Sequence, residues 1–341
     1  MLMSMKSIVI ATDTWSPNVN GVVTSLLYTK KILEARNFRV RIVHPGEFMS
    51  LPLPSYSEIR LSWAWKQQLD EIVRQERPDY IHIATEGSLG LAVRQMCIQN
   101  RYHFTTAYHT KLPEYVSMRL GGFGGVTQRY LKWFHNAGDG AMVSTDSLRR
   151  ELVGEGFERV VVTPLGVDVD LFSKNNNSNA LPDLARPIFV FLGRVAIEKN
   201  IRAFLDARVP GTKVVIGDGP DKEKLEEEFR GKAIFTGYKT GQELIDILSV
   251  ARVMVFPSRT DTLGLVILEA LACSLPVAAF DVGGPKDIIT NGLDGYAGNN
   301  IEESIKNCLN LRPEDCRAKA LGFSWERSVD LFIENLVPLR G

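Results

Sequence analysis

Short apolar runs recur along the chain, each followed by a longer stretch with helical spacing. In the first half the runs fall at 7–12, 39–44, 80–85, 103–109, 140–144 and 159–164, among them SIVIAT, YIHIAT and HFTTAYH. Between them lie segments such as VVTSLLYTKKILEAR (22–36), whose apolar residues return every three or four positions. The second half repeats the scheme, with runs at 188–193, 213–217, 233–237, 253–257 and 276–280 separated by helical stretches at 221–229, 241–251 and 263–272. Near-continuous apolar runs predict strands buried on both faces, and their alternation with helices predicts parallel sheets. The expected fold class is α/β, with two Rossmann-like doubly wound domains in series facing across a cleft. The expected boundaries are 1–165 for the first domain, 166–187 for a polar, Asn-rich linker, and 188–322 for the second domain. The amphipathic end, 323–341, reads as a helix that either completes the second domain or crosses back to the first.

Composition adds three points. The chain has 341 residues and formal net charge zero, but residues 1–150 hold 18 Lys and Arg against 12 Asp and Glu, so the first part is basic and the remainder acidic. A basic half suits an anionic partner or membrane surface; ordinary surface scatter is the plainer alternative. No nucleic-acid partner is expected. The four cysteines, Cys97, Cys273, Cys308 and Cys316, form no C-x-x-C pair, so neither a disulfide frame nor a zinc site is expected. The N-terminal apolar run is too short for a signal-peptide core, and no stretch approaches the ~20 apolar residues of a spanning helix. A cytoplasmic protein is the expectation, resting at most on the inner face of the cell membrane.

The candidate chemistry gathers around SRTDTLGLVILEALACSLPV (258–277), where Glu269 interrupts an apolar helix and Asp261 stands just before it. Asp261, Thr262, Leu263, Gly264 and Leu265 follow the strand VMVFP, at the strand end where such sheets bind ligands. A helix starting near Leu263 aims free N–H groups at that point, a ready site for phosphate. Asp261 and Glu269 are eight residues apart, up to ~12 Å along a helix, a span that suits a diphosphate with a sugar on either side. The structural alternative makes Asp261 an N-cap and pairs Glu269 with a cation. Arg194 and Lys199 lie in FLGRVAIEKN, after the first strand of the second domain, where two cations suit a diphosphate or stand as ordinary surface charges. IGDGP (216–220) makes a tight turn but is not G-x-G-x-x-G, which counts against NAD. In the first domain, Asn20-Gly21 opens a helix and His109 ends a strand; either is as readily structural as functional. Asp168-Val169-Asp170 lies in the linker and is read as structural, so no metal ligand is expected. Segment 117–138 interleaves Arg119, Arg129 and Lys132 with Phe123, Tyr130, Trp133 and Phe134, which suits a lipid–water boundary or a half-buried helix with a solvated face.

Taken in this order, the segments resemble the retaining GT-B glycosyltransferases of the glycogen-synthase-like group, family 4, group 1. DTLGLVILE stands where that group carries Glu-x7-Glu, and GVDVDLF, GRVAIEK and IGDGP are similar to its second-domain signatures. VNGVV, HIATEG and YHTKLPEY resemble the subgroup that transfers mannose or sulfoquinovose to lipids or lipid-linked acceptors. The resemblance implies a metal-independent transfer, with retention, of a hexose from a UDP- or GDP-sugar to a hydroxyl of a lipid or glycan, with no cofactor beyond the donor. It implies that Arg194, Lys199 and the backbone at Gly264 and Leu265 hold the diphosphate, with Gly21 approaching from the first domain. Glu269 would hold the ribose, Asp261 and His109 the transferred sugar, and Gly237 and Tyr238 the base. Two departures stand out: Asp261 is one methylene shorter than the usual Glu, and Asn20-Gly21 replaces paired glycines. A nucleotide-sugar epimerase of the same fold and a non-catalytic nucleotide-sugar sensor are the alternatives; an epimer formed from donor alone would mark the former, and the full set of leaving-group residues argues against the latter.

Overall fold

A computed structural model describes residues 5–17, 20–53, 56–120, 122–176 and 179–340. Val19 and Gly121 lie outside the described residues, as does the side chain of Arg119. The chain divides into two compact units, Met1–Leu165 with Trp325–Gly341, and Gly166–Ser324.

The first unit contains strands β1 (Lys6–Ala11), β2 (Phe38–Val43), β3 (Met49–Leu53), β4 (Tyr56–Trp63), β5 (Tyr80–Ile83), β6 (Thr105–Ala107), β7 (Gly140–Val143) and β8 (Val160–Val162). Its first helices are α1 (Gly21–Ala35), α2 (Lys66–Glu76), α3 (Ser88–Asn100), α4 (Leu112–Leu120), α5 (Gly124–His135) and α6 (Asp146–Gly154). Six of the strands form one sheet in the order β2-β1-β5-β6-β7-β8, and its ladders are parallel. Alternate residues of β1 feed two cores. Val9 and Ala11 pack with α2 and α3, while Ile8 and Ile10 pack with α1 and the chain's last helix. Both faces are buried, which is why these strands read as continuous apolar runs.

The second unit contains β9 (Ile188–Leu192), β10 (Thr212–Ile216), β11 (Ala233–Gly237), β12 (Val253–Phe256), β13 (Val277–Phe280) and β14 (Gly295–Gly298). Its helices are α7 (Ile201–Asp206), α8 (Lys222–Glu228), α9 (Gly241–Val250), α10 (Leu265–Ala272), α11 (Gly283–Ile288), α12 (Ile301–Cys308) and α13 (Pro313–Ala320). The order β11-β10-β9-β12-β13-β14 is that of a doubly wound sheet whose direction of winding reverses between β9 and β12. Segment 166–187, expected as the linker, makes hydrogen bonds to this unit. Arg317 donates to the carbonyls of Val169 and Phe172, and Asn175 bonds Ser249 and Asp246.

The last helix, α14 (Trp325–Glu334), belongs to the first unit. Val329, Phe332 and Leu336 enter the core beneath β1, and Trp325 stacks on Tyr28 of α1 with centroids 4.8 Å apart.

Two features had no counterpart in the strand pattern, β14 (Gly295–Gly298) and a hairpin of the first unit. β3 and β4 form an antiparallel hairpin outside the main sheet, pairing Met49 with Trp63 and Leu51 with Leu61. These four side chains share one exposed face. No described helix is long and apolar enough to cross a membrane.

Candidate active site

The carboxyl edge of the second sheet collects most of the candidate residues. Arg194 and Lys199 lie on the loop after β9, Tyr238 follows β11, and Asp261 to Gly264 follow β12. β9 and β12 are the neighbours at which the winding reverses, so these loops flank the crevice where doubly wound sheets take ligands.

Backbone interlocks hold the loops. A short 3-10 turn, Ile197–Lys199, ends at Asn200, whose φ is +51°. The Asn200 side chain donates to the Pro257 carbonyl at 3.0 Å, and the hydroxyls of Ser258 and Thr260 both donate to the Glu198 carbonyl at 3.4 Å. The loop after β9 is thereby tied to the loop after β12. On its other side it is tied to the turn after β10. Gly193 N–H donates to Ile216 O and Val195 N–H to Asp218 O, at 3.0 and 2.8 Å. A Cβ on Gly217 or Gly219 would overlap the carbonyls of Gly193 or Val195. That close approach explains the glycines of IGDGP without any ligand.

Within this frame Lys199 Nζ donates to Asp261 Oδ1 at 2.5 Å, with both side chains four-fifths or more buried. Asp261 Oδ2 is buried and has no hydrogen-bond partner among the described residues. A buried carboxylate oxygen left without a donor is costly, and a ligand hydroxyl would satisfy it. Arg194 Nε lies 4.0 Å from the buried Glu198 carboxylate.

The helix expected to start near Leu263 begins at Leu265 instead. Gly264 adopts φ +89°, a left-handed conformation, and serves as the N-cap without any capping side chain. A Cβ there would lie 2.8 Å from the Phe256 ring. The first N–H groups of α10 therefore receive no bond from their N-cap residue's side chain, and they carry the partial positive charge of a helix start. Glu269, one turn on, is partly exposed, and burial pushes its carboxyl up to about 7. Its charge reaches Tyr238, whose phenol is raised by burial and then by Glu269. Asp261, Glu269, Arg194, Lys199, Gly264 and Tyr238 thus belong to one edge of one sheet, with Gly237 as the last residue of β11.

The remaining candidates, Gly21 and His109, belong to the first unit. Gly21 opens α1, and Asn20 is its N-cap, its Oδ1 accepting from Val22 and Val23 N–H at 3.1 and 3.0 Å. The departure from paired glycines is therefore a cap. β6 is shorter than the expected 103–109, so His109 lies two residues beyond it. Its side chain lines a 40 Å³ cavity with His82, Thr29 and Ser144, and burial lowers its pKa, opposed by Glu86 and reinforced by His135. Asp168 Oδ1 accepts from Leu171 N–H at 2.9 Å, which caps a turn.

Two buried polar residues of the first unit, His135 and Asp13, were not among the candidates. His135, fully buried at the end of α5, bonds Thr106 through Nδ1 at 2.8 Å and Glu86 through Nε2 at 3.1 Å. Asp13, buried after β1, accepts from Leu89 and Gly90 N–H and thereby caps α3 from another loop. Asp13 lies between Thr12 and Thr14 and His135 precedes Asn136, so nothing in the local sequence separates a buried network from surface polarity.

Comparison with known proteins fits this geometry. Residues 19–171 match the Glycosyltransferase Family 4 domain, and residues 186–312 match the Glycosyl transferases group 1 domain. The sulfoquinovosyl transferase SQD2 of Arabidopsis thaliana is 30% identical over 73% of this chain, and the match spans 52% of that protein. A GDP-mannose-dependent alpha-mannosyltransferase of Mycobacterium tuberculosis is 26% identical over 98% of this chain and 97% of its own length. The alpha-monoglucosyldiacylglycerol synthase of Streptococcus pneumoniae is 26% identical over 89% of this chain and 78% of its own length. Among solved structures, sucrose-phosphate synthase from Thermosynechococcus elongatus superposes with a TM-score of 0.78 at 17% identity, covering 96% of this chain and 98% of that one. With a family 4 domain followed by a group 1 domain, each a parallel α/β unit of the GT-B fold, the chain belongs to the family 4, group 1 glycosyltransferases.

Proposed function

We propose that the protein transfers a hexose from a nucleotide diphosphate sugar to a hydroxyl of a lipid or lipid-linked acceptor, with retention at the anomeric carbon and without a metal. The observation that carries this reading is the Lys199–Asp261 pair, with its bare Asp261 Oδ2, beside the glycine start of α10 at the reversal of the second sheet. The diphosphate lies against the Gly264 and Leu265 backbone, with Lys199 and Arg194 supplying positive charge as the bond to the anomeric carbon breaks. Those cations and the helix end do the work that a divalent ion does elsewhere. Asp261 accepts from a hydroxyl of the transferred sugar through Oδ2, the oxygen that Lys199 does not hold. Glu269 accepts from the ribose hydroxyls, and Gly237 and Tyr238 border the base.

In the first unit, His109 is a neutral imidazole, because burial disfavours its charged form. It contacts the transferred sugar by hydrogen bonding and does not repel the cationic carbon of the transition state. The acceptor proton passes to a leaving diphosphate oxygen. The relatives' names, an alpha-monoglucosyldiacylglycerol synthase in one case and a GDP-mannose-dependent alpha-mannosyltransferase in another, support this class of donor and acceptor.

A thermal-melt screen with UDP- and GDP-sugars tests the donor. Saturation at ~100 times Kd contributes about 2.7 kcal/mol to the native state. One nucleotide class raises the melting temperature and the other does not. Product analysis then gives the anomeric configuration, and turnover unchanged by EDTA supports the metal-free reading. An absence of any shift with every nucleotide sugar overturns the assignment.

A further inference from the structure

The carboxyl edge of the first sheet holds a polar relay that the donor site does not use. Thr106 lies on β6 and is fully buried. Its hydroxyl bonds His135 Nδ1, and His135 Nε2 bonds Glu86 Oε1. A carboxylate only accepts, so Nε2 carries the proton, and the threonine hydroxyl adapts to Nδ1. Tyr130 Oη donates to the Glu86 carbonyl at 2.6 Å, which fixes the backbone of the same residue. Glu86 is thus held at two points, and its other carboxylate oxygen makes none of these bonds. It follows β5 as His109 follows β6, and β5 and β6 are adjacent.

Carboxylates gather near this edge. Glu114, Glu86, Glu155 and Glu151 all oppose ionisation of the Tyr108 phenol, after burial itself. Two cations of the surrounding elements are committed elsewhere. Arg94 donates to the carbonyls of Phe134 and Trp133, and Lys111 is paired with Glu151. A phosphorylated head group placed here would face like charge, whereas a hydroxyl would find an acceptor.

Resting on the glycosyl-transfer reading above, the geometry points to Glu86 as the residue that receives the acceptor hydroxyl. It also points to this edge as selective for an uncharged, hydroxyl-bearing head group over a phosphorylated one. Thr106 and His135 are positioning residues that hold the carboxylate.

The test uses the full chain and the donor found in the melt screen. The acceptors are phosphatidylcholine vesicles carrying either diacylglycerol or phosphatidylinositol. Wild type transfers to diacylglycerol in preference to phosphatidylinositol. Glu86→Gln keeps a hydrogen bond to His135, so its melting temperature and its donor-induced shift match wild type. Its KM for diacylglycerol rises about tenfold or more, as expected for loss of a charge-assisted hydrogen bond, and its preference over phosphatidylinositol narrows. Preference of the wild type for phosphatidylinositol, or an unchanged KM in Glu86→Gln, overturns the proposal. So does transfer to neither lipid while donor binding persists, which leaves glycosyl transfer standing. Absence of donor binding removes the functional reading first and this one with it.

Discussion

Glu269 and Lys199 show how burial sets the chemistry of single residues. The Glu269 carboxyl is raised from 4.5 to about 7 by burial. Between those values the folded chain holds a proton that the unfolded chain has lost, so this residue's contribution to stability falls as pH rises from 4.5 to about 7. Glu269→Gln lacks the effect. Its melting temperature, measured against wild type, climbs across that window; parallel curves refute the argument. Lys199 is the sharper kinetic test. Lys199→Ala removes the cation beside Asp261, and kcat/KM falls by roughly 100- to 1,000-fold, as for loss of one preorganised transition-state donor. Steady-state rates with saturating acceptor check it. Both residues were legible in the sequence because each broke a local pattern, a charge inside an apolar helix or a cation after a strand. The partner relationships were not legible. That Lys199 meets Asp261, 62 positions away, follows only once β9 and β12 are neighbours.

Elements were readable where burial was two-sided and elusive where it was not. The eleven apolar runs each overlap a strand of the two main sheets. The β3–β4 hairpin escaped because its apolar residues lie on the exposed face and Pro52 and Pro54 interrupt the run. Helix ends shifted where backbone conformation decided them. Gly264→Ala forces a side chain into a left-handed position against the Phe256 ring. It costs about 1–2 kcal/mol and moves the start of α10. Donor affinity in the melt screen drops accordingly, and an unchanged affinity speaks against phosphate binding there. Helix α5 bears on the basic, aromatic segment singled out from sequence. Phe123, Val126 and Trp133 are exposed, as are Arg129 and Lys132, while Leu131 and Phe134 are buried. Apolar and cationic side chains exposed together suit an anionic lipid surface. Combined Phe123→Ser and Val126→Ser lowers co-sedimentation with phosphatidylglycerol vesicles and leaves the melting temperature unchanged; full retention on the vesicles counts against this surface.

At the scale of the whole chain, the return of α14 makes the first unit discontinuous in sequence. Phe332 contacts the edge of the His82 ring and lies in the core beneath β1. Phe332→Ala costs about 3–5 kcal/mol. Urea unfolding, followed alongside donor binding, is expected to lower the first unit's transition while the donor still binds folded chain. The amphipathic pattern of 323–341 left open which unit would receive it, because such a stripe records that a surface is covered without recording which one. The interlock of Gly193 and Val195 with Gly217 and Gly219 carries a different consequence. Two turns of separate sequence address form one mechanical piece, so neither drifts alone. A change that shifts the backbone of the loop bearing Arg194 therefore shifts the turn after β10 with it, and a chimera made from relatives keeps its shape only when the pair travels as one cassette.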